Sequence, residues 1–247
     1  MGFNKKKHLE DNILAIRTVF DLQKRGAKAT AEEIKMLKKY KGFGGLKCIL
    51  QPCESSADKE KWNESEKDLF APTLMLYDII RQNSSPDSKY VESIQNSVLT
   101  AFYTPSVVVE SIMKALADTG IRLEKVLEPS AGTGAFTEVI KKYTDTPVTC
   151  YEKDLLTGKI LQYLYPQDYV HPAGFETITD HYNNYFDGVI SNIPFGQIRV
   201  FDSSFLESKD TCKQRSTAAI HNYFFLKAIE VTREGGFIAF ITSQGVL

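Results

Sequence analysis

The chain has 247 residues, 43% of them hydrophobic and 25% charged, a globular composition suited to one large domain or one domain with a helical extension. Disordered, collagenous and low-complexity classes are excluded. No apolar run approaches the ~18 residues of a membrane span, and the basic start Met1–Lys7 has no apolar stretch behind it, so a soluble cytoplasmic protein with no membrane partner is expected. The net charge of −1 conceals an asymmetry: residues 1–50 hold 12 Lys and Arg against 5 Asp and Glu, and the remainder 18 against 26. A basic end can hold phosphate whatever the total, although the same lysines can simply solvate helix faces. The cysteines Cys48, Cys53, Cys150 and Cys212 form no CxxC pair and have no histidine at zinc spacing. They read as reduced thiols, two of them buried, with no metal site.

In chain order, Leu9, Ile13, Ile16 and Phe20 form one stripe of an amphipathic helix over residues 8–25. Thr30 and Glu33 make a capping box for a second helix, which must stop at Gly42-Phe43-Gly44-Gly45. That glycine cluster lacks the preceding strand and following Lys-Ser/Thr of a phosphate loop. Residues 51–62 read as loop, Leu69–Ile80 as helix, Asn83–Asp87 as turn and Lys89–Leu99 as a further helix, so the first ~100 residues are mostly α.

From Thr104 the character changes. Thr104 is read as an N-cap, with Pro105 at the first position of a helix to about Asp118. Strands are expected at Lys125–Glu128, Pro147–Glu152, Phe186–Ser191 and Phe237–Thr242. Helices are expected at Phe136–Tyr143, Leu155–Tyr163 and Ala218–Thr232, with Glu234-Gly235-Gly236 as a terminating turn. This alternation predicts an α/β fold with a doubly wound, mostly parallel Rossmann-like sheet, in which ligands bind beyond the carboxyl ends of the strands.

Three strand ends carry chemistry. Glu128-Pro129-Ser130-Ala131-Gly132-Thr133-Gly134-Ala135-Phe136 runs from strand to helix, and its glycines let backbone N–H groups approach a ligand. The spacing is not GxGxxG, and the acid ahead of it would repel a pyrophosphate. Glu152, 20 residues beyond Gly132, can accept ribose hydroxyls, or can be an ordinary surface acid. Asn192-Ile193-Pro194-Phe195 is the sharpest signal. An exocyclic adenine amine is a poor nucleophile, because its lone pair is delocalised into the ring. Two acceptors on its hydrogens, the Asn side chain and the neighbouring carbonyl, would concentrate that lone pair, and a nearby aromatic gives the base a stacking face. The competing reading is a plain Asn-x-Pro turn with Phe195 as an apolar plug.

Together, EPSAGTGAF (Glu128–Phe136), Glu152, AFYTP (Ala101–Pro105) and NIPF (Asn192–Phe195) resemble the ordered motifs of class I S-adenosylmethionine-dependent amino-methyltransferases of the N6-adenine DNA type. The whole chain is similar to the amino-terminal part of DNA methylase/helicase polypeptides of bacterial mobile elements and phages. The resemblance implies S-adenosylmethionine as cofactor and a flipped adenine in duplex DNA as substrate. Tyr103 and Thr104 would close over the methionine end, Ala131, Gly132 and Gly134 would line it, and Glu128 would order it from beneath. Glu152 would hold the ribose, Lys153 would flank the adenine, and Glu176 would accept from the adenine amine. Asn192 and the Ile193 carbonyl would hold the target amine beside Pro194, with Phe195 stacking on the base. It also implies a helical segment over residues 1–90 and a methyltransferase domain over 91–247.

Ile193 departs from the family's usual first proline, at an expected cost in rigidity. The family's sheet continues past a fifth strand, so the chain is read as either a piece of a longer protein, with a recognition or helicase region beyond Leu247, or a truncated relative, and either could bind cofactor without turning over substrate. RNA adenine, a protein glutamine amide, or a non-catalytic cofactor- or DNA-binding role remain as alternatives. In the helix after the NIPF loop, Tyr223, Phe224, Leu226 and Ile229 are expected in the core and His221 to be structural. Arg199, Lys209, Lys213 and Arg215 could meet DNA phosphates or be solvated.

Overall fold

The computed structural model describes residues 4–85, 87–100 and 104–243. In chain order the elements are α1 (Lys5–Arg25), α2 (Ala31–Leu37), α3 (Phe70–Asn83), α4 (Tyr90–Thr100), α5 (Ser106–Asp118), β1 (Val126–Glu128), α6 (Ala135–Ile140), β2 (Val148–Tyr151), α7 (Leu155–Leu164), β3 (Tyr169–His171), β4 (Phe186–Asn192), α8 (Ser203–Leu206), α9 (Thr211–Ser216), α10 (Ile220–Val231) and β5 (Thr232–Ile241). They divide into two compact units, residues 1–101 with 154–166, and residues 102–153 with 167–247.

The first unit is helical. In α1, Leu9, Ile13, Ile16 and Phe20 are all buried, as their spacing predicts. The Asn4 side chain caps the helix at the Lys7 N–H, and Gly26 closes it at φ 58°. Thr30 and Glu33 form the expected capping box. The Gly42–Leu46 turn is a built structural feature. The Gly42 carbonyl lies 2.8 Å from His8 Nε2 and accepts from Asn12 Nδ2 at 2.6 Å, while Asn12 Oδ1 accepts the Lys41 N–H at 2.9 Å. His8 and Asn12 stand four apart on α1, so one helix face clamps the turn. Residues 51–62, read from sequence as loop, contain a 3₁₀ segment at Ser56–Lys61. Helix α7 belongs to this unit although it is the crossover between β2 and β3. Leu156 and Ile160 join its core, Thr157 Oγ1 lies 2.7 Å from Tyr40 Oη, and Ser93 Oγ accepts the Leu155 N–H.

The second unit is the sheet. Its five strands run in the order β3-β2-β1-β4-β5, and every pairing is parallel. The order reverses direction between β1 and β4, which makes the crevice beyond their carboxyl ends the binding position of a doubly wound sheet. β4 is a near-continuous buried run from Phe186 to Ser191, as parallel strands covered on both faces require. Its side chains pack with Phe175, Phe205, Tyr223 and Phe224 in one aromatic core.

Several expectations change. Pro105 occupies the cap position of α5, which begins at Ser106 with no side-chain cap, so Thr104 is not its N-cap. β5 starts at Thr232 and absorbs the Glu234–Gly236 turn as an irregularity. Phe186 pairs with Thr232 and Gly188 with Phe237, with Gly235 at φ 73° between them. Ile229 is 59% exposed, whereas Lys227, absent from the apolar stripe, is only 2% exposed. The exchange is electrostatic: the Lys227 ammonium meets Glu230 at 3.0 Å and Asp202 at 3.7 Å over the Phe205 ring. Three cysteines are buried rather than two, Cys212 alone being exposed. Among the described residues no helix is long and apolar enough to cross a membrane.

Candidate functional site

The β1 turn is tight because Gly132 (φ 54°) and Gly134 (φ 89°) take left-handed conformations that favour glycine. The Ala131 N–H donates to Tyr151 O at 2.9 Å, tying the turn to the end of β2, and Gly134 caps α6. Ser191 Oγ donates to Ser130 O at 3.2 Å, which links the same turn to the end of β4. Sequence reasoning missed this link, which joins serines 61 residues apart.

Glu128 is fully buried at the end of β1. Its Oε2 accepts from the Thr137 hydroxyl on α6, and its Oε1 has no hydrogen-bond partner. Burial pushes its pKa well above the ordinary carboxylate range, and Glu152 adds to the shift.

Glu152 sits half-buried at the end of β2, its Oε2 accepting the Gly132 N–H at 2.7 Å. A carboxylate has about four lone-pair positions, so it can serve the turn and ribose hydroxyls together. Lys153 and Glu176 are joined by a 2.7 Å ion pair, with the lysine ammonium exposed. The Glu176 carboxylate lies back against Gly174, where a side chain would collide with it.

At the end of β4, Asn192, Pro194, Phe195 and Gly196 are half-buried, while Ile193 is buried in the aromatic core. The Ile193 N–H donates to Ile241 O at 3.1 Å, a bond that proline could not make. Isoleucine therefore supplies rigidity through a ladder hydrogen bond and core packing. Buried His221 accepts the Gly196 N–H at Nδ1, 3.4 Å away, so this structural histidine steadies the loop.

The structure thus gathers Ala131, Gly132, Gly134, Glu152, Lys153 and Glu176 around the β1 and β2 ends, with Asn192–Phe195 at the end of the neighbouring β4. Glu128 lies beneath them. Thr104 is half-buried ahead of α5, and Tyr103 falls outside the described residues. Among the described residues no group of three or more His, Cys, Asp or Glu side chains could hold a metal.

With that geometry established, comparison with known proteins is direct. Residues 135–247 match the Eco57I restriction-modification methylase family. Methylases of the Eco57I family use S-adenosylmethionine. The chain is also 31% identical over 153 residues, 60% of its length, to "Defense against restriction protein B" of Escherichia phage P1, and spans 6% of that much longer protein. Two solved structures are also similar to the chain. One is a proposed S-adenosyl-L-methionine-dependent methyltransferase of Methanococcus maripaludis, with TM-score 0.35, 15% identity and coverage of 55% of this chain and 54% of that one. The other is a proposed class I S-adenosylmethionine-dependent methyltransferase of Listeria monocytogenes, with TM-score 0.46, 12% identity and coverage of 98% and 75%.

Two features of this sheet suit that cofactor. The glycine turn stands at a helix start, and the carboxylate of Glu152 is already held at that turn.

Proposed function

We propose that this chain carries the cofactor half and the target-amine loop of an S-adenosylmethionine-dependent methyltransferase acting on N6 of adenine in DNA. The observation that carries the reading is the placement of Asn192–Phe195 at the end of β4, beside the β1 turn that Glu152 braces, on the two sides of the switch point. S-adenosylmethionine, when bound, supplies an electrophilic methyl group. Gly132 and Gly134 would line its methionine end with Thr104 closing over it, Glu152 would accept from its ribose hydroxyls, Lys153 would flank its adenine and Glu176 would accept from the adenine amine.

Asn192 Oδ1 and the Ile193 carbonyl accept the two hydrogens of the target amine and hold its lone pair out of conjugation. Phe195 stacks on the flipped base, so the energy of unstacking is partly recovered. His221 accepts the N–H of Gly196, the residue that follows that ring. The basic residues 1–50 favour a polyanion over a protein substrate. The match to a restriction-modification methylase family supports DNA over RNA.

Transfer of labelled methyl from S-adenosylmethionine to DNA, RNA and protein, offered separately to the chain, tests the reading. Label in DNA that disappears with Asn192→Ala is the expected result, and label confined to RNA or to protein would overturn it.

A further inference from the structure

The excursion between β4 and α10 carries the most exposed large apolar side chain among the described residues, Phe201, at 76%. It is not on a loose loop. Val200, before it, is buried and donates its N–H to Thr217 O at 2.9 Å. Asp202, after it, is buried and accepts from Tyr223 Oη at 2.7 Å and from the Ser204 N–H at 2.9 Å, with the Lys227 ammonium 3.7 Å away. The backbone is therefore fixed on both sides of a phenyl ring held out in water, against the hydrophobic effect. Ile198, 40% exposed, is a second apolar side chain on the same excursion.

The charges of the same excursion point to one kind of partner. Arg199, Lys209 and Arg215 are exposed and have no ion-pair partner among the described residues. Of the acids in the same segment, Asp202 and Asp210 are turned onto backbone N–H groups as the caps of α8 and α9, leaving Glu207. The excursion thus carries an exposed ring, an exposed aliphatic side chain and three exposed cations without ion pairs. Phosphates with stacked bases behind them complement such a surface. Phe201 also follows Phe195 by six residues, a reach of at most about 20 Å of chain.

We infer that Phe201 is a wedge that enters the base stack of duplex DNA and fills the gap left by the extruded base, while Arg199 contacts the flanking phosphates. This rests on the DNA reading above and adds to it a residue that holds the duplex open, separate from the one that stacks on the flipped base. Apolar wedges act in this way where proteins unstack a base step.

The test uses fluorescence anisotropy of the intact chain with two labelled duplexes of one sequence, fully paired or with an abasic position opposite thymine. The wild type is expected to bind the abasic duplex more tightly, since unstacking is already done there. Phe201→Ala is expected to weaken abasic binding about tenfold, with Phe201→Trp restoring it and paired binding unchanged within about twofold. Arg199→Ala is expected to weaken both duplexes alike and reduce the salt slope by about one. Unchanged abasic binding by Phe201→Ala, or equal loss on both duplexes, would overturn the wedge while leaving DNA as substrate. Failure of the wild type to bind either duplex would overturn the DNA reading itself.

Discussion

Glu152 accepts the Gly132 N–H at 2.7 Å, so the acid that ends β2 and the glycine turn that follows β1 form one unit. Removing the carboxylate should loosen the turn and delete the proposed ribose contact together. Glu152→Ala is expected to weaken S-adenosylmethionine binding at least tenfold by titration calorimetry, since a hydrogen bond to a charged group is worth about 1.5–3 kcal/mol. Glu152→Gln, which keeps an acceptor for Gly132, should fall between the two. Wild-type affinity in the alanine variant would remove Glu152 from the cofactor site.

Glu128 gives a pH dependence of stability. Its pKa in the folded chain lies above the ordinary value of 4.5, because burial disfavours the carboxylate. Above the unfolded pKa, folding must take up a proton, so stability falls as pH rises until the folded pKa is passed. The slope from this one group is at most about 1.4 kcal/mol per pH unit. Glu128→Gln should flatten that decline above the ordinary carboxylate pKa in denaturant titrations. An unchanged slope would mean that Glu128 is ionised in the folded chain.

Gly188 pairs with Phe237, and a methyl group added there would lie 2.7 Å from the phenylalanine ring. Gly188→Ala is expected to cost about 1–3 kcal/mol by overpacking between β4 and β5. Combining it with Phe237→Leu should recover part of the loss, and strict additivity of the two changes in thermal melts would show that they do not meet.

Ile193→Pro would make the loop look more like the Asn-Pro-Pro-aromatic motif, yet it is expected to destabilise the sheet. It removes the N–H bonded to Ile241 O and a side chain packed in the aromatic core. Leaving that carbonyl unsatisfied costs about 1–3 kcal/mol. A melting temperature equal to the wild type would show that the Ile193 ladder bond contributes nothing.

The strand ends were the legible part of this chain. Glycines, Glu152 and Asn192 mark places where the backbone must turn or present a polar group, and those demands are local. Four of the five strands follow from β-branched or apolar runs. β3 is three residues long, and its Tyr169 and His171 flank a single buried valine, so it carries no periodic signal of its own. Long-range pairings were the illegible part. The hydrogen bond of Ser191 to Ser130 and the burial of Lys227 over Phe205 depend on partners that sequence spacing does not bring together. Helix α7 reads as an ordinary crossover helix, and nothing in its own residues shows that Leu156 and Ile160 complete a core begun at Leu9. The short helices α8 and α9 are capped by Asp202 and Asp210.

The most direct measurement is nucleoside analysis of adenine-containing duplex DNA incubated with S-adenosylmethionine and either the chain or its Asn192→Ala variant, with cofactor affinity determined for both. N6-methyladenine formed by the wild type, and absent with the variant while S-adenosylmethionine affinity stays within about twofold, is the predicted result. Equal N6-methyladenine from both proteins would contradict the assignment of the target amine to Asn192.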